Sequence, residues 1–301
     1  MSYREFKHNL AELFFCGCSC ISPYINTRLR YFQVFGKRMD LEHPVTLNDK
    51  VLWLKLHKYR GNQLIKDCAD KYAVRNYIEQ KGCPEILNDL IASYDTVEEI
   101  EWDKLPYQFA MKWNFGCGFN IICPDKSQLD IPDTIRKMKE WGKKNAYLPF
   151  SEVQYEHVKK KIIVEKYLSD GSGKLPKDYK IYCFNGKPSF IMVCVGREEG
   201  KAKYLYYDHN WNLHRELSTD GMNMPADFKL PKPDGVDEML RYAAILSEPF
   251  EFVRADFYLV DGKTYFGELT FTPSAAMDSA RVPAADKLFG DMVKIEELQN
   301  K

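Results

Sequence analysis

Residues 252–274 constrain this chain more than any other stretch, because two β-rich runs there flank Asp261-Gly262, a dipeptide suited to positive φ. The pattern predicts a β-hairpin. Its register decides what the hairpin can do. Directly paired residues share a face and side chains alternate along each strand, so a two-residue loop puts Asp256 and Glu268 on opposite faces. A three-residue loop with Gly at the left-handed position puts Arg254, Asp256, Glu268 and Thr270 together. Val253, Ala255, Phe257 and Leu259 then oppose Tyr265, Gly267, Leu269 and Phe271 on the other face. This second register sorts polar from apolar residues and is the one expected.

Asp256 and Glu268 on adjacent strands, with the Thr270 hydroxyl two residues further on, make a set of hard oxygen donors. Such a set suits Mg²⁺, which takes one or two protein carboxylates and completes its octahedron with water and nucleotide phosphate. The bland alternative is that Asp256 pairs with Arg254 while Glu268 sits at a wet sheet edge, since surface ion pairs are common.

Composition excludes several partner classes. Forty-three basic residues balance forty-three acidic ones, so no global field draws the chain to nucleic acid or anionic membrane, and partner choice must come from a local site. At 301 residues and 45% apolar composition it has material for a substantial core. No stretch approaches the roughly 18 apolar residues of a membrane span. The run from Leu10 to Ile21 is broken by Glu12 and Gly17 and does not read as a cleavable signal. Nine cysteines, an odd number, indicate reduced thiols and a cytoplasmic location. Cys16, Cys18 and Cys20 lack the C-x-x-C spacing of zinc sites and read as small buried residues or a lipid-modified patch.

Along the chain, Thr46 is an expected N-cap with Asp49 at the third helical position. Residues 67–82 predict one helix stopped by Gly82 and Pro84, with Lys71 near its start, and 85–92 predict a strand. In the strand 107–114, Phe109, Met111 and Trp113 form the apolar face. Lys112, flanked by Ala110 and Asn114 on the other face, has room to reach an anion such as the phosphates of ATP. A turn with Gly116 and Gly118 follows, then a return strand at Ile121-Ile122. Backbone N–H groups of such a turn can close over phosphate, and the turn carries no G-K-[ST] of a Walker loop. Residues 128–146 predict a helix and 161–168 a strand. A second hairpin turns at Asn185-Gly186, and its second strand is expected to run to Val195. Arg197, just beyond, is placed to hold a substrate carboxylate or phosphate. Residues 237–246 predict a helix packed on the final sheet through Met239, Ala243 and Leu246.

The run R-A-D-F…G-E-L-T-F-T-P-S resembles the C-terminal metal hairpin of the ATP-grasp superfamily, and most closely its TupA-like (teichuronopeptide biosynthesis) branch. The resemblance extends from about Thr46 to Leu288. It implies an α+β ATP-grasp fold, two α/β lobes sandwiching ATP, with a mainly helical N-terminal segment. The implied division is 1–65 helical, 66–168 central and lid, and 169–301 C-terminal with the metal hairpin. It implies that Lys71 reaches nucleotide phosphate, that Glu165 and the backbone near Lys166 and Leu168 line the adenine pocket, and that Lys180 faces phosphate and acyl intermediate. Lys180 stands where the family has Arg, and Thr270 where it has Asn. Arg254 faces the developing anion, and Ser274 belongs to a turn that contacts the acceptor.

The function implied is ATP- and Mg²⁺-dependent ligation of a carboxylate to an amine through an acyl-phosphate, in assembly of a cell-surface polysaccharide. A uronic acid or saccharide carboxylate is one such acceptor. Peripheral association with a membrane polysaccharide-assembly complex fits that setting. A sugar or small-molecule kinase on the same scaffold, and a nucleotide-binding structural subunit, are the alternatives.

Overall fold

The computed structural model describes residues 3–170, 175–196 and 200–299. Two helices, α1 (Tyr3–Ile21) and α2 (Pro23–Phe35), open the chain. Helix α3 (Leu47–Leu54) begins at Thr46, which closes a capping box with Asp49 as the spacing predicts. A π-helical turn, Lys55–Tyr59, continues it.

The single helix expected over 67–82 is interrupted. Helix α4 (Gln63–Ala69) stops, and α5 (Val74–Gln80) starts after a turn. The cause is Asp70, whose Oδ1 accepts the backbone N–H of Tyr72 at 2.7 Å and of Ala73 at 3.1 Å. A short Asp side chain competes in this way with the helical ladder. The strand expected over 85–92 is instead a 3-10 turn, Pro84–Ile86, followed by β1 (Leu90–Tyr94).

Four strands make the smaller antiparallel sheet, in the order β1, β4 (Ile162–Lys166), β2 (Phe109–Trp113), β3 (Asn120–Cys123). Helix α6 (Ile131–Gly142) covers it, with Met138 and the apolar face of β2 in one core. The larger sheet has the order β7 (Lys203–Tyr207), β6 (Lys187–Val195), β5 (Asp178–Phe184), β8 (Phe252–Val260), β9 (Lys263–Thr270). A short helix, α7 (Thr219–Met222), follows β7. Helix α8 (Val236–Ser247) packs on the apolar face of the larger sheet, burying Met239, Ala243 and Leu246 as expected. Helices α9 (Pro283–Met292) and α10 (Glu296–Gln299) end the chain, and α9 packs against α3. Leu47, Leu52 and Tyr59 share the core of the larger sheet with Tyr182, Phe252 and Phe289.

The hairpin β8–β9 corrects the expected loop. Val260 pairs with Lys263, so the loop is the two residues Asp261 and Gly262, both at positive φ. That turn alone would part the two acids. A β-bulge between Asp256 and Phe257 leaves Gly267 unpaired, and Asp256 still faces Glu268. Beyond the bulge the parity changes: Phe266, not Gly267, pairs with Phe257, with ring centroids 6.3 Å apart. Gly267 is required by close approach, because a Cβ there would lie 2.9 Å from the Asp256 carbonyl oxygen.

Candidate active site

The polar face of the larger sheet carries one continuous row. Lys180 on β5 pairs with Asp256 on the neighbouring strand β8, and Asp256 pairs with Glu268 on β9. Lys180 Nζ lies 2.6 Å from Asp256 Oδ2 and 2.5 Å from Asp178 Oδ2. Arg254, two residues along β8, donates through Nε to Asp256 Oδ1 and through Nη2 to Oδ2, each at 2.7 Å. Its Nη2 also donates to Thr270 Oγ1 at 3.1 Å and lies 3.5 Å from Glu268 Oε1. Thr270 in turn donates to Glu268 at 3.2 Å.

Position in the sheet sets the charge states. Burial pushes the Asp178 carboxyl up, and the neighbouring Asp256 adds to it. Burial pushes Lys180 down, but the Asp256 and Asp178 carboxylates outweigh it and hold the ammonium above its usual range. Burial also raises Glu268, yet Lys71, Arg254 and Lys180 together hold it below the usual carboxylate range. Asp256 is almost fully covered, whereas the Glu268 side chain is 39% exposed. Glu268 is thus the more open acid of the pair, and Asp256 the one locked by cations.

Lys71 reaches this row from the other side. Its Nζ donates to the Gly116 carbonyl at 2.6 Å and lies 3.9 Å from Glu268 Oε2. One ammonium therefore links the glycine turn of the smaller sheet to the acid of the larger. Asn114, buried at the end of β2, holds the lysine in place. Its Nδ2 donates to Asp70 Oδ2 at 2.5 Å and its carbonyl accepts the Lys71 N–H at 2.9 Å. The same side chain's Oδ1 accepts the Lys161 N–H at 2.8 Å. Residue spacing offered no signal for this bracket beyond the adjacency of Asn114 to the glycine turn.

A second cluster lies on the smaller sheet, where Lys112 and Glu165 meet at 2.6 Å and Arg75 approaches the same carboxylate at 3.4 Å. Gly116 and Gly118 both have positive φ. Lys166 points outward to Asp89 at 3.6 Å, and its backbone carbonyl accepts the Asn88 side chain at 2.8 Å. Leu168 lies in the segment after β4, half-buried. Ser274 is exposed and opens three successive left-handed residues, Ser274, Ala275 and Ala276, at φ of 52°, 56° and 60°. Arg197 lies outside the described residues. Cys16, Cys18 and Cys20 fall on one helix, half-buried, buried and exposed respectively.

Sequence reading missed Glu152. Its carboxylate accepts Thr272 Oγ1 at 2.7 Å and Gln154 Nε2 at 3.3 Å. Burial raises it above the usual carboxylate range, against Thr272 and the nearby Lys55 and Lys71 cations. It anchors the strained turn to the loop before β4, and nothing in its local sequence marks it.

The donors fit an oxygen-bound dication. Among the described residues no three His, Cys, Asp or Glu come together as a metal-holding group. A Mg²⁺ that keeps water and phosphate oxygens needs only one or two carboxylates; Glu268 stands open for that role, and Asp256, whose two oxygens Arg254 and Lys180 occupy, would join it on releasing one of them.

Residues 49–294 match the family model described as TupA-like ATPgrasp. The chain belongs to the TupA-like ATP-grasp family. No curated protein matches this TupA-like chain. Among solved structures it is similar to D-alanine–D-alanine ligase from Bacillus anthracis complexed with ATP, at 16% identity over 75% of this chain and 64% of that one, TM-score 0.42. It is also similar to an L-amino acid ligase from Bacillus licheniformis, at 16% identity over 84% and 53%, TM-score 0.44. A third is the D-alanine–D-alanine ligase from Helicobacter pylori, at 13% identity over 75% and 61%, TM-score 0.44. The TupA-like chain spans 61 to 65% of the length of the first structures it matches. Among the described residues no helix is long and apolar enough to cross a membrane.

Proposed function

We propose that the chain is an ATP-dependent ligase that joins a carboxylate to an amine through an acyl-phosphate. The observation that carries this reading is the Lys180–Asp256–Glu268 row with Lys71 reaching Glu268 from the glycine turn. Two carboxylates ringed by three fixed cations form a preorganised site for phosphoryl transfer, where positioning and charge stabilisation do most of the work.

In this reading residues 66–168 supply the lid side and 169–301 the metal side. Lys71 and Lys112 neutralise nucleotide phosphates, and Gly116 and Gly118 let the turn approach them. Glu165 and the backbone around Lys166 and Leu168 line the adenine pocket. Asp256 and Glu268 hold Mg²⁺, which when bound neutralises charge on the phosphates, and Thr270 orients Glu268. Arg254 and Lys180 face the transferring group, the Ser274 turn lies toward the acceptor, and Arg197 is assigned to a substrate carboxylate or phosphate from its sequence position alone. The substrate carboxylate oxygen takes the γ-phosphoryl group and ADP leaves. The amine nitrogen then attacks the acyl carbon; the C–N bond forms, the bond to phosphate breaks, and the amine loses a proton. The family's teichuronopeptide branch points to a uronic acid or similar carboxylate in cytoplasmic steps of cell-surface polysaccharide assembly.

The test is product analysis with Mg²⁺ and ATP over a panel of carboxylates and amines. Ligation requires ADP and phosphate release that depends on both substrates, and hydroxylamine must trap the activated carboxylate as a hydroxamate. A stable phosphorylated product formed without any amine would convert the reading to a kinase. Tight ATP binding with no turnover on any acceptor would leave a nucleotide-binding subunit.

A further inference from the structure

We propose that the outer face of the α1–α2 helical hairpin is a docking surface for an anionic lipid bilayer. The hairpin lies before the family-matched residues, so it is an addition to the ATP-grasp body. Its inner face is fully engaged. Arg30 lies over the rings of Phe15 and Phe150, pairs with Glu12 at 2.6 Å, and donates to the Pro149 carbonyl at 2.9 Å. Ser19, Asn26 and Ser151 complete a buried hydrogen-bonded knot beside it.

The outer face is apolar and open. Leu10, Leu13, Phe14 and Ile21 follow helical spacing along α1 and are 58 to 77% exposed. Ile25, Leu29 and Phe32 form an exposed apolar stripe on α2. Seven large apolar side chains left exposed on two successive helices exceed the singly scattered apolar residues of an ordinary surface.

Charge selects the occupant. The first 38 residues hold six basic and two acidic residues, leaving 37 basic against 41 acidic in the remainder. On α2 itself the exposed charge is Arg28, and Lys37 and Arg38 follow directly after the helix, while Glu12 is spent on Arg30. The exposed acids Asp40 and Glu42 come further along the same segment, where Asp40 accepts the backbone N–H groups of Glu42 and His43. Apolar and aromatic side chains with cations alongside are the signature of a helix lying in a membrane interface. The acidic excess elsewhere opposes contact of the remaining surface with anionic lipid, which favours this one face.

The experiment is co-sedimentation of the full chain with vesicles of phosphatidylcholine alone and of phosphatidylcholine with phosphatidylglycerol. Binding is expected to the anionic vesicles only, and to weaken as salt is raised. Leu13→Glu with Phe14→Glu should abolish it, and Arg28→Glu, Lys37→Glu and Arg38→Glu should each lower partition by about fivefold or more. All five side chains are exposed, so circular dichroism melts of the variants should match the parent. No binding to anionic vesicles, equal binding to both vesicle types, or retention by the Leu13→Glu, Phe14→Glu chain would each overturn the proposal. So would concentration-dependent self-association, in the absence of lipid, that the same double variant removes.

Discussion

Asp256 stands directly across from Glu268 although the turn joining their strands has only two residues, because Gly267 drops out of the ladder between them. The acid pair thus depends on a residue that carries no side chain.

Gly267→Ala is expected to break that arrangement. The added Cβ would sit 2.9 Å from the Asp256 carbonyl oxygen and 3.2 Å from the Tyr258 ring, so backbone must move. Overpacking of this kind costs about 1–3 kcal/mol, and thermal melting should show it. Calorimetry should show Mg–ATP affinity falling with it. Unchanged nucleotide affinity would mean that the facing of the two acids is not needed.

Lys180 bridges two buried acids, lying 2.5 Å from Asp178 and 2.6 Å from Asp256. Lys180→Met leaves Asp178 and Asp256 sharing a covered site with only Arg254. Removing one partner of a buried pair costs about 3–5 kcal/mol, measurable as a shift in urea midpoint. Lys180→Arg, which keeps the charge, should recover much of that loss. A deficit below about 1 kcal/mol for Lys180→Met would show that the cluster is solvated.

Asn114→Ala tests the bracket on Lys71. Stability should fall by about 1–3 kcal/mol because Asp70 loses its buried donor. The Mg–ATP dissociation constant should rise by roughly tenfold as the Lys71 ammonium loses its fixed position. Lost stability with intact affinity would assign Asn114 to packing alone.

Lys55 sets a pH dependence. It is fully buried, donates to the Phe150 carbonyl at 3.1 Å, and burial pushes its ammonium down to about 7 despite nearby Glu152. The unfolded chain, with a lysine near 10.5, then binds one more proton than the folded chain across that window. Stability contributed by this group therefore rises as pH goes from about 7 toward 10.5, and is flat below 7. Lys55→Met should remove that slope, as read from urea denaturation at several pH values. A slope that survives the substitution would have another source.

The left-handed run at Ser274, Ala275 and Ala276 stores strain of about 1–2 kcal/mol per residue. Ala275→Gly should raise the melting temperature. If the turn positions the acceptor, the same change should raise the acceptor KM while leaving ATP binding untouched, and steady-state kinetics separates the two.

What the residues alone determined is the local chemistry: strand alternation, the Asp261-Gly262 and Asn185-Gly186 turns, and the Thr46 cap. They also placed the grouping of Arg254, Asp256, Glu268 and Thr270 on one face. These follow from periods of two and 3.6 and from backbone preferences that act over a few residues. Tertiary structure decided the rest. The reach of Lys71 to Gly116 and Glu268, the Asn114–Asp70 contact and the Glu152–Thr272 anchor all depend on groups far apart in the chain. Such contacts form only when packing brings distant segments together and buried polar groups must find partners, which no local pattern records.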